Sequence, residues 1–231
     1  MHPGYLSQQS LLGEHSEIHA LICIMVDRKS GYSHHPEVCR WKGYLWALQY
    51  RHRIVVKEMH LRGINHQSPF IFERLLEKEG HFPAYLDSPV TQFILLRGKY
   101  HFKHQQGRIP IPKKGTDFWA HHKYSVMTRG YQYYHDMQKF LKGRQVKPIE
   151  QDHELVEKIQ DDMKKAITKN ALSNTLMHLW GYFKKKANDE EKNHFFFLSS
   201  SQDKIAYLFQ LSQKYQCVYL LHSTLFADIY P

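Results

Sequence analysis

Apolar residues recurring along one side of a helix constrain this chain more than any other feature. Leu11, Ile18, Ile22 and Met25 follow one another at spacings of seven, four and three, the steps of an α-helical face. Leu45, Leu48, Val55 or Val56 and Met59 repeat the pattern, with Arg51, Arg53, Lys57 and Arg62 expected outward. No stretch alternates convincingly with the period of two that a strand needs, and no internal repeat is visible. The expectation is an all-α protein.

Punctuation then divides it. Residues 1–9 read as a lead-in loop, and Ser10 is expected to cap the first helix, which ends at Gly31 and the following His-His-Pro segment. The second helix is predicted from 45 to 62, with Gly63 as its stop. Ser68-Pro69 and Ser88-Pro89 each set a capping residue before a proline at the first helical position. They predict helices to about 79 and 97, the latter ended by Gly98. Residues 99–115 carry alternate prolines and glycines, the mark of an extended loop. Two helical domains are therefore expected, 1–98 and 116–231, joined by a linker loop at 99–115. In the second, Thr116 caps a helix, and others are predicted at 131–142, 150–169, 171–187, 189–197 and 201–229. The last is expected to break near Gln216, and Asn188 with Glu191 forms a capping box.

With 231 residues, Lys+Arg at 32 against Asp+Glu at 22 leaves a formal charge of +10. Such an excess favours a polyanionic partner, most simply nucleic acid, over a merely soluble basic surface. Three cysteines without a CxxC spacing argue against a disulfide framework or a zinc ribbon. No apolar run approaches the roughly 20 residues of a membrane helix. The first residues show no signal-peptide pattern, so a cytoplasmic protein with no membrane partner is expected.

The first helix carries Glu14, His15, Glu17 and His19. A carboxylate on a half-buried helix among basic residues, Glu17 first, can serve as general acid or base or stabilise a developing cation; the alternative is an ordinary solvated carboxylate. His15 and His19, four apart, could share a metal with Glu14 or Glu17. The sequence HSEIH is not HExxH, however, and the adjacent pairs His34-His35 and His121-His122 are expected to point their rings apart. No metal and no cofactor is expected. Arg28, Lys29, Tyr32, Arg40, Trp41 and Lys42 mix cations and rings as phosphate contact and base stacking would use them, or form a solvated turn. There is no Walker loop, GxGxxG or GxSxG, which removes the support for nucleotide hydrolysis, dinucleotide binding and hydrolase triads.

Leu11-Leu12-Gly13-Glu14-His15-Ser16-Glu17-Ile18-His19, then Gly31-Tyr32-Ser33-His34-His35-Pro36-Glu37, then Glu58-Met59 to Arg62-Gly63 resemble the pyrimidine-dimer DNA glycosylase family over about residues 2–75. The resemblance implies an all-helical enzyme that attacks an anomeric sugar carbon with its N-terminal α-amine, expels the base and breaks the strand by β-elimination. Glu17 falls at the position of the glutamate that assists at the sugar. The implied partner is damaged duplex DNA, and His15, Arg28, Lys29, Tyr32, Arg40, Lys42 and Arg62 are the residues whose own chemistry is expected to meet it.

The sequence departs from the family at Ser10 and Ser16, which replace a histidine and an arginine that hold DNA. It also begins about six residues late, so three readings stay open. The natural N-terminus is longer, lyase activity is absent, or Met1 itself supplies the amine. His122-Lys123-Tyr124, Met127, Asn174, His178, Gly181-Tyr182-Phe183-Lys184 and Glu191-Lys192 resemble the YbgA-like domain, whose role is unknown. The leading expectation is a DNA repair glycosylase and abasic-site lyase acting through an N-terminal amine and Glu17, with Met1 as the amine if the natural N-terminus is not longer. The alternatives are a non-enzymatic nucleic-acid-binding protein or a nucleobase-modifying accessory protein. No sequence feature sets an oligomeric state.

Overall fold

A computed structural model describes residues 1–27, 32–68 and 80–229. Among them the chain is all-helical. Twelve α-helices run α1 Gln8–Asp27, α2 Pro36–Trp41, α3 Leu45–Leu61, α4 Pro89–Lys103, α5 Gly115–Arg129, α6 Tyr131–Leu141, α7 His153–Met163, α8 Lys169–Trp180, α9 Asp189–Phe197, α10 Ser201–Lys214, α11 Val218–Leu221 and α12 Leu225–Ile229. Extended pairing among the described residues is limited to two isolated antiparallel bridges, Ser7 with Gly107 and Lys114 with Pro148. No described helix is long and apolar enough to cross a membrane. The helix expected from Ser68-Pro69 to about 79, apart from Ser68, lies outside the described residues.

Several boundaries fall where the caps predict. Ser88 Oγ accepts the Thr91 amide at 3.1 Å and Pro89 opens α4. Asn188 and Glu191 exchange side-chain bonds with each other's amides at 2.8 and 2.9 Å, so α9 starts on a full capping box. Gly63 and Gly143 take the left-handed conformation at φ 70° and 76° just beyond α3 and α6. Gln216, at φ 47°, breaks the last helical stretch near where it was expected to break.

Other boundaries move. α1 begins at Gln8 because Ser7, not Ser10, is the cap: its hydroxyl accepts the Ser10 amide at 3.2 Å. α4 runs through Gly98 to Lys103. A mid-helix glycine costs about 1 kcal/mol. Tyr100 offsets this by burying its ring and accepting the Ser7 amide on its hydroxyl at 2.5 Å. The extended segment therefore starts at His104, itself left-handed at φ 47°. The single helix expected at 150–169 is cut short at Met163, whose carbonyl accepts from Arg129 Nε at 3.0 Å, and α8 starts afresh on a Thr168 cap. The short α2 was not foreseen; His35 caps it and Pro36 opens it.

Among the described residues two apolar cores form, and α5 contributes to both. Leu11, Ile18 and Ile22 of α1 meet Leu48, Val55 and Met59 of α3, with Phe93 of α4, Phe118 and Val126 of α5 and Val156 of α7. Tyr124 and Met127, from the other side of α5, join Leu176, Phe195, Leu208 and Phe226 of the C-terminal helices. Each such side chain taken fully from water contributes about 1.5–3 kcal/mol. Gly107 is required where it lies: a Cβ there would sit 2.5 Å from the Tyr5 backbone.

One buried ionic knot ties the regions together. The Glu58 carboxylate, 0% exposed, binds Arg62 at 2.8 Å and Arg108 at 2.7 Å. Arg62 also donates to the carbonyls of Leu6, Pro3 and Gly4, and Arg108 to those of Leu221 and Ser223. Burial opposes ionisation of Glu58, but the two guanidinium groups outweigh it and hold its pKa below the ordinary value.

Candidate functional site

The N-terminal segment folds back on α1. His2 caps a 3-10 turn at Pro3–Tyr5, its Nδ1 accepting the Gly4 amide at 3.0 Å. This delivers Met1 into a cleft of about 1330 Å³ walled by α1, α3, α4 and the start of α5. The Met1 α-amine donates to Gln92 Oε1 at 3.2 Å. Arg51 Nη1 donates to the Met1 carbonyl at 2.6 Å, while Arg51 Nε pairs with the Glu14 carboxylate. Burial first, and then the Arg51 charge, push the amine pKa down to about 5; Glu14 acts the other way. Burial also opposes the charge on Glu14, but Arg51 and the amine hold its pKa below the usual range.

Glu17, one turn along α1, is exposed and lines the same cleft. Tyr32 lines it too, 68% exposed. So does Arg40, which pairs with Glu37 at 2.8 Å and lies 4.8 Å over the Trp41 ring. Lys99, Lys103, Arg129, Lys164 and Lys165 add cationic lining. Lys42 is exposed at the end of α2 but is not part of the cleft wall. Arg28 and Lys29 lie outside the described residues.

Two expectations about orientation are corrected. Arg51 and Arg62 turn inward rather than outward, because Glu14 and Glu58 offer each a carboxylate at the seam between α3 and the N-terminal segment. Lys57, also expected outward, is half-buried and donates to the Asp228 carbonyl at 3.4 Å, whereas Arg53 does face solvent. His15 faces away from the cleft. Its Nε2 is 3.2 Å from His19 Nε2, which is 3.0 Å from His52 Nε2, and His66 completes the group. Burial and mutual repulsion push His15 down to about 4 and His52 to about 3. The partners of His15 and His19 are therefore histidines from α3 and the segment after it, not Glu14 or Glu17.

The C-terminal candidates split between two places. His122 is buried at the cleft, and its ring does not point away from that of His121 as expected, because both meet one hydroxyl: that of Tyr5 lies 3.1 Å from His122 Nε2 and 3.1 Å from His121 Nδ1. Asp228, also at the cleft, approaches His2 and Arg129, each at 3.7 Å. Lys123, Tyr124, His178 and Tyr182 gather elsewhere. The Tyr124 and Tyr182 hydroxyls are 2.7 Å apart, the His178 ring lies 5.9 Å from Tyr124, and Lys123 Nζ sits over Tyr124 and Tyr219 at 4.6 and 4.7 Å. Burial lowers the Lys123 pKa. Asn174, Gly181 and Lys184 are exposed on α8 and just beyond it.

Glu14 was visible in the sequence as a second carboxylate one helical turn from Glu17. Arg51, Gln92, His52, His66 and Asp228 gave no local signal, since only tertiary packing brings them to these places.

No curated protein and no solved structure is significantly similar to the chain. Residues 1–72, which supply Met1, Glu14, Glu17 and Arg51, match the pyrimidine dimer DNA glycosylase family, and residues 123–231 match a family described as a protein of unknown function, DUF1722.

Proposed function

We propose that the protein is a DNA repair glycosylase with abasic-site lyase activity, acting on damaged duplex DNA through the amine of its first residue. The observation that carries this reading is the Met1 α-amine, lodged in a cation-lined cleft with a pKa near 5. An ordinary α-amine near 8 is mostly protonated at neutral pH, whereas this one keeps its lone pair for attack.

The amine attacks C1′ of the damaged nucleotide's sugar. The bond from C1′ to the base breaks, and the base leaves with the electron pair and takes up a proton. Opening of the sugar ring yields an imine between the Met1 nitrogen and C1′. Removal of a C2′ proton then expels the 3′ phosphate, and water releases the enzyme. Glu17 is the carboxylate for the proton transfers at the sugar, since it lines the cleft and is open to solvent. Arg51 positions the amine through the Met1 carbonyl, and the Glu14 carboxylate favours the cationic imine. Lys99 and Lys103 face the phosphates and Tyr32 offers a ring to an unstacked base. A cytoplasmic setting goes with this reading.

Strand cleavage on an abasic-site duplex tests it. The expected result is cleavage by the free amine and none after N-terminal acetylation, with duplex binding kept. Equal cleavage by the acetylated protein would overturn the reading.

A further inference from the structure

The histidine cluster stands apart from the cleft and from the glycosylase reading. One ring nitrogen from each of His15, His19, His52 and His66 lies within 4.8 Å of all the others. The rings come from two positions four apart on α1, one on α3 and one on the segment beyond it, so the chain converges on this point from three directions.

Hydrogen bonding alone does not account for the convergence. His19 Nε2 has both His15 Nε2 at 3.2 Å and His52 Nε2 at 3.0 Å. A ring nitrogen carries either one proton or one lone pair, so it cannot make a full hydrogen bond to both. His66 Nε2 is buried and has no hydrogen-bond partner among the described residues. A buried polar atom left unpaired costs about 1–3 kcal/mol. A cation that accepts a lone pair from each ring removes both conflicts.

We propose that His15, His19, His52 and His66 bind a zinc ion in a closed, four-nitrogen site that fastens α1 to α3. Tetrahedral zinc with bonds of about 2.0–2.1 Å to nitrogen spaces its ligand atoms about 3.3 Å apart, close to the two separations between neighbouring rings. An all-imidazole donor set suits zinc and disfavours calcium or magnesium, which take oxygen. Four protein ligands leave no open position, so the ion is structural. His15 and His52 directly follow Glu14 and Arg51, and the ion therefore also sets the register of that pair.

The test uses the full chain without an affinity tag. Apo protein, confirmed folded by circular dichroism, is titrated with Zn²⁺ against a chromophoric chelator, and the zinc edge X-ray absorption is recorded. The expected result is one tight equivalent, about four nitrogen neighbours near 2.0 Å and no sulfur. H66Q, altered outside the helices, is expected to bind about 100-fold more weakly or worse while keeping its helicity. Three results would each overturn the inference: no tight equivalent in folded wild-type protein, sulfur or mainly oxygen neighbours, or unchanged affinity in folded H66Q. If H66Q does not fold, the wild-type titration and absorption spectrum decide alone. None of these readouts depends on DNA cleavage.

Discussion

Arg51 donates to the Met1 carbonyl at 2.6 Å across fifty positions of chain. The same guanidinium pairs with Glu14, so one side chain fixes both the first residue and a carboxylate whose charge acts on its amine. The geometry makes Arg51 a positioning residue with an electrostatic effect, because its charge helps depress the amine pKa.

Replacing it with glutamine should therefore do two things. Stability should fall by about 1–3 kcal/mol, less than for a fully buried pair because both side chains keep some solvent contact. The pH at which the amine becomes reactive should move upward, since one cause of its lowered pKa is removed. Urea unfolding and the pH profile of amine acylation measure the two effects separately, and a purely structural role would leave the profile in place.

E58Q should be the costlier change. It strips two buried arginines of their shared carboxylate and loosens their hold on the carbonyls at residues 3–6 and 221–223. A loss of about 3 kcal/mol is expected, read as a lower urea midpoint.

Y5F removes the hydroxyl that both His121 and His122 face at 3.1 Å. The ring stays, so the expected loss of about 1–3 kcal/mol reports the unpaired imidazoles rather than poorer packing. Differential scanning calorimetry against wild type checks it.

Acid should destabilise the fold well above the carboxylate range. Burial pushes His121 down to about 4, so between that value and its unfolded pKa near 6.5 only the unfolded chain takes the proton. Stability then rises with pH through this window and is lost as pH falls. From pH 7 to 5 the loss from His121 alone is about 2 kcal/mol. His122 and His2 shift in the same direction and add to it. Urea midpoints at a series of pH values test the slope; a flat profile from 7 to 5 would contradict it.

Duplex binding should weaken with salt, and K99Q/K103Q should flatten that dependence. For each phosphate that a lysine no longer neutralises, the slope of log affinity against log salt changes by about 0.9. Fluorescence anisotropy at several salt concentrations gives the slope, and an unchanged one would remove these lysines from the DNA path.

Local signals were the legible part of this fold. The helical periods of α1 and α3, the Ser88-Pro89 start, the Asn188–Glu191 box and the break at Gln216 are all written in a few neighbouring residues. What the sequence hid depends on distant partners. Gly98 reads as a stop until Tyr100 reaches Ser7. Arg51 and Arg62 look solvated until the N-terminal segment supplies carbonyls and α1 and α3 supply carboxylates. His15 and His19 show a ligand spacing, but the nitrogens that complete the group come from positions 52 and 66. Glu17 was legible as a carboxylate on α1, and it lines the cleft; Arg51, whose charge adds to burial in lowering the Met1 amine pKa, was not legible.

Borohydride trapping on an abasic-site duplex tests the central claim most directly. The account predicts a covalent protein–DNA adduct that maps by mass spectrometry to the nitrogen of the first residue and forms more slowly in E17Q, by about 100-fold. A folded, DNA-binding protein that gives no adduct, or one whose adduct maps to a lysine side chain, would contradict it.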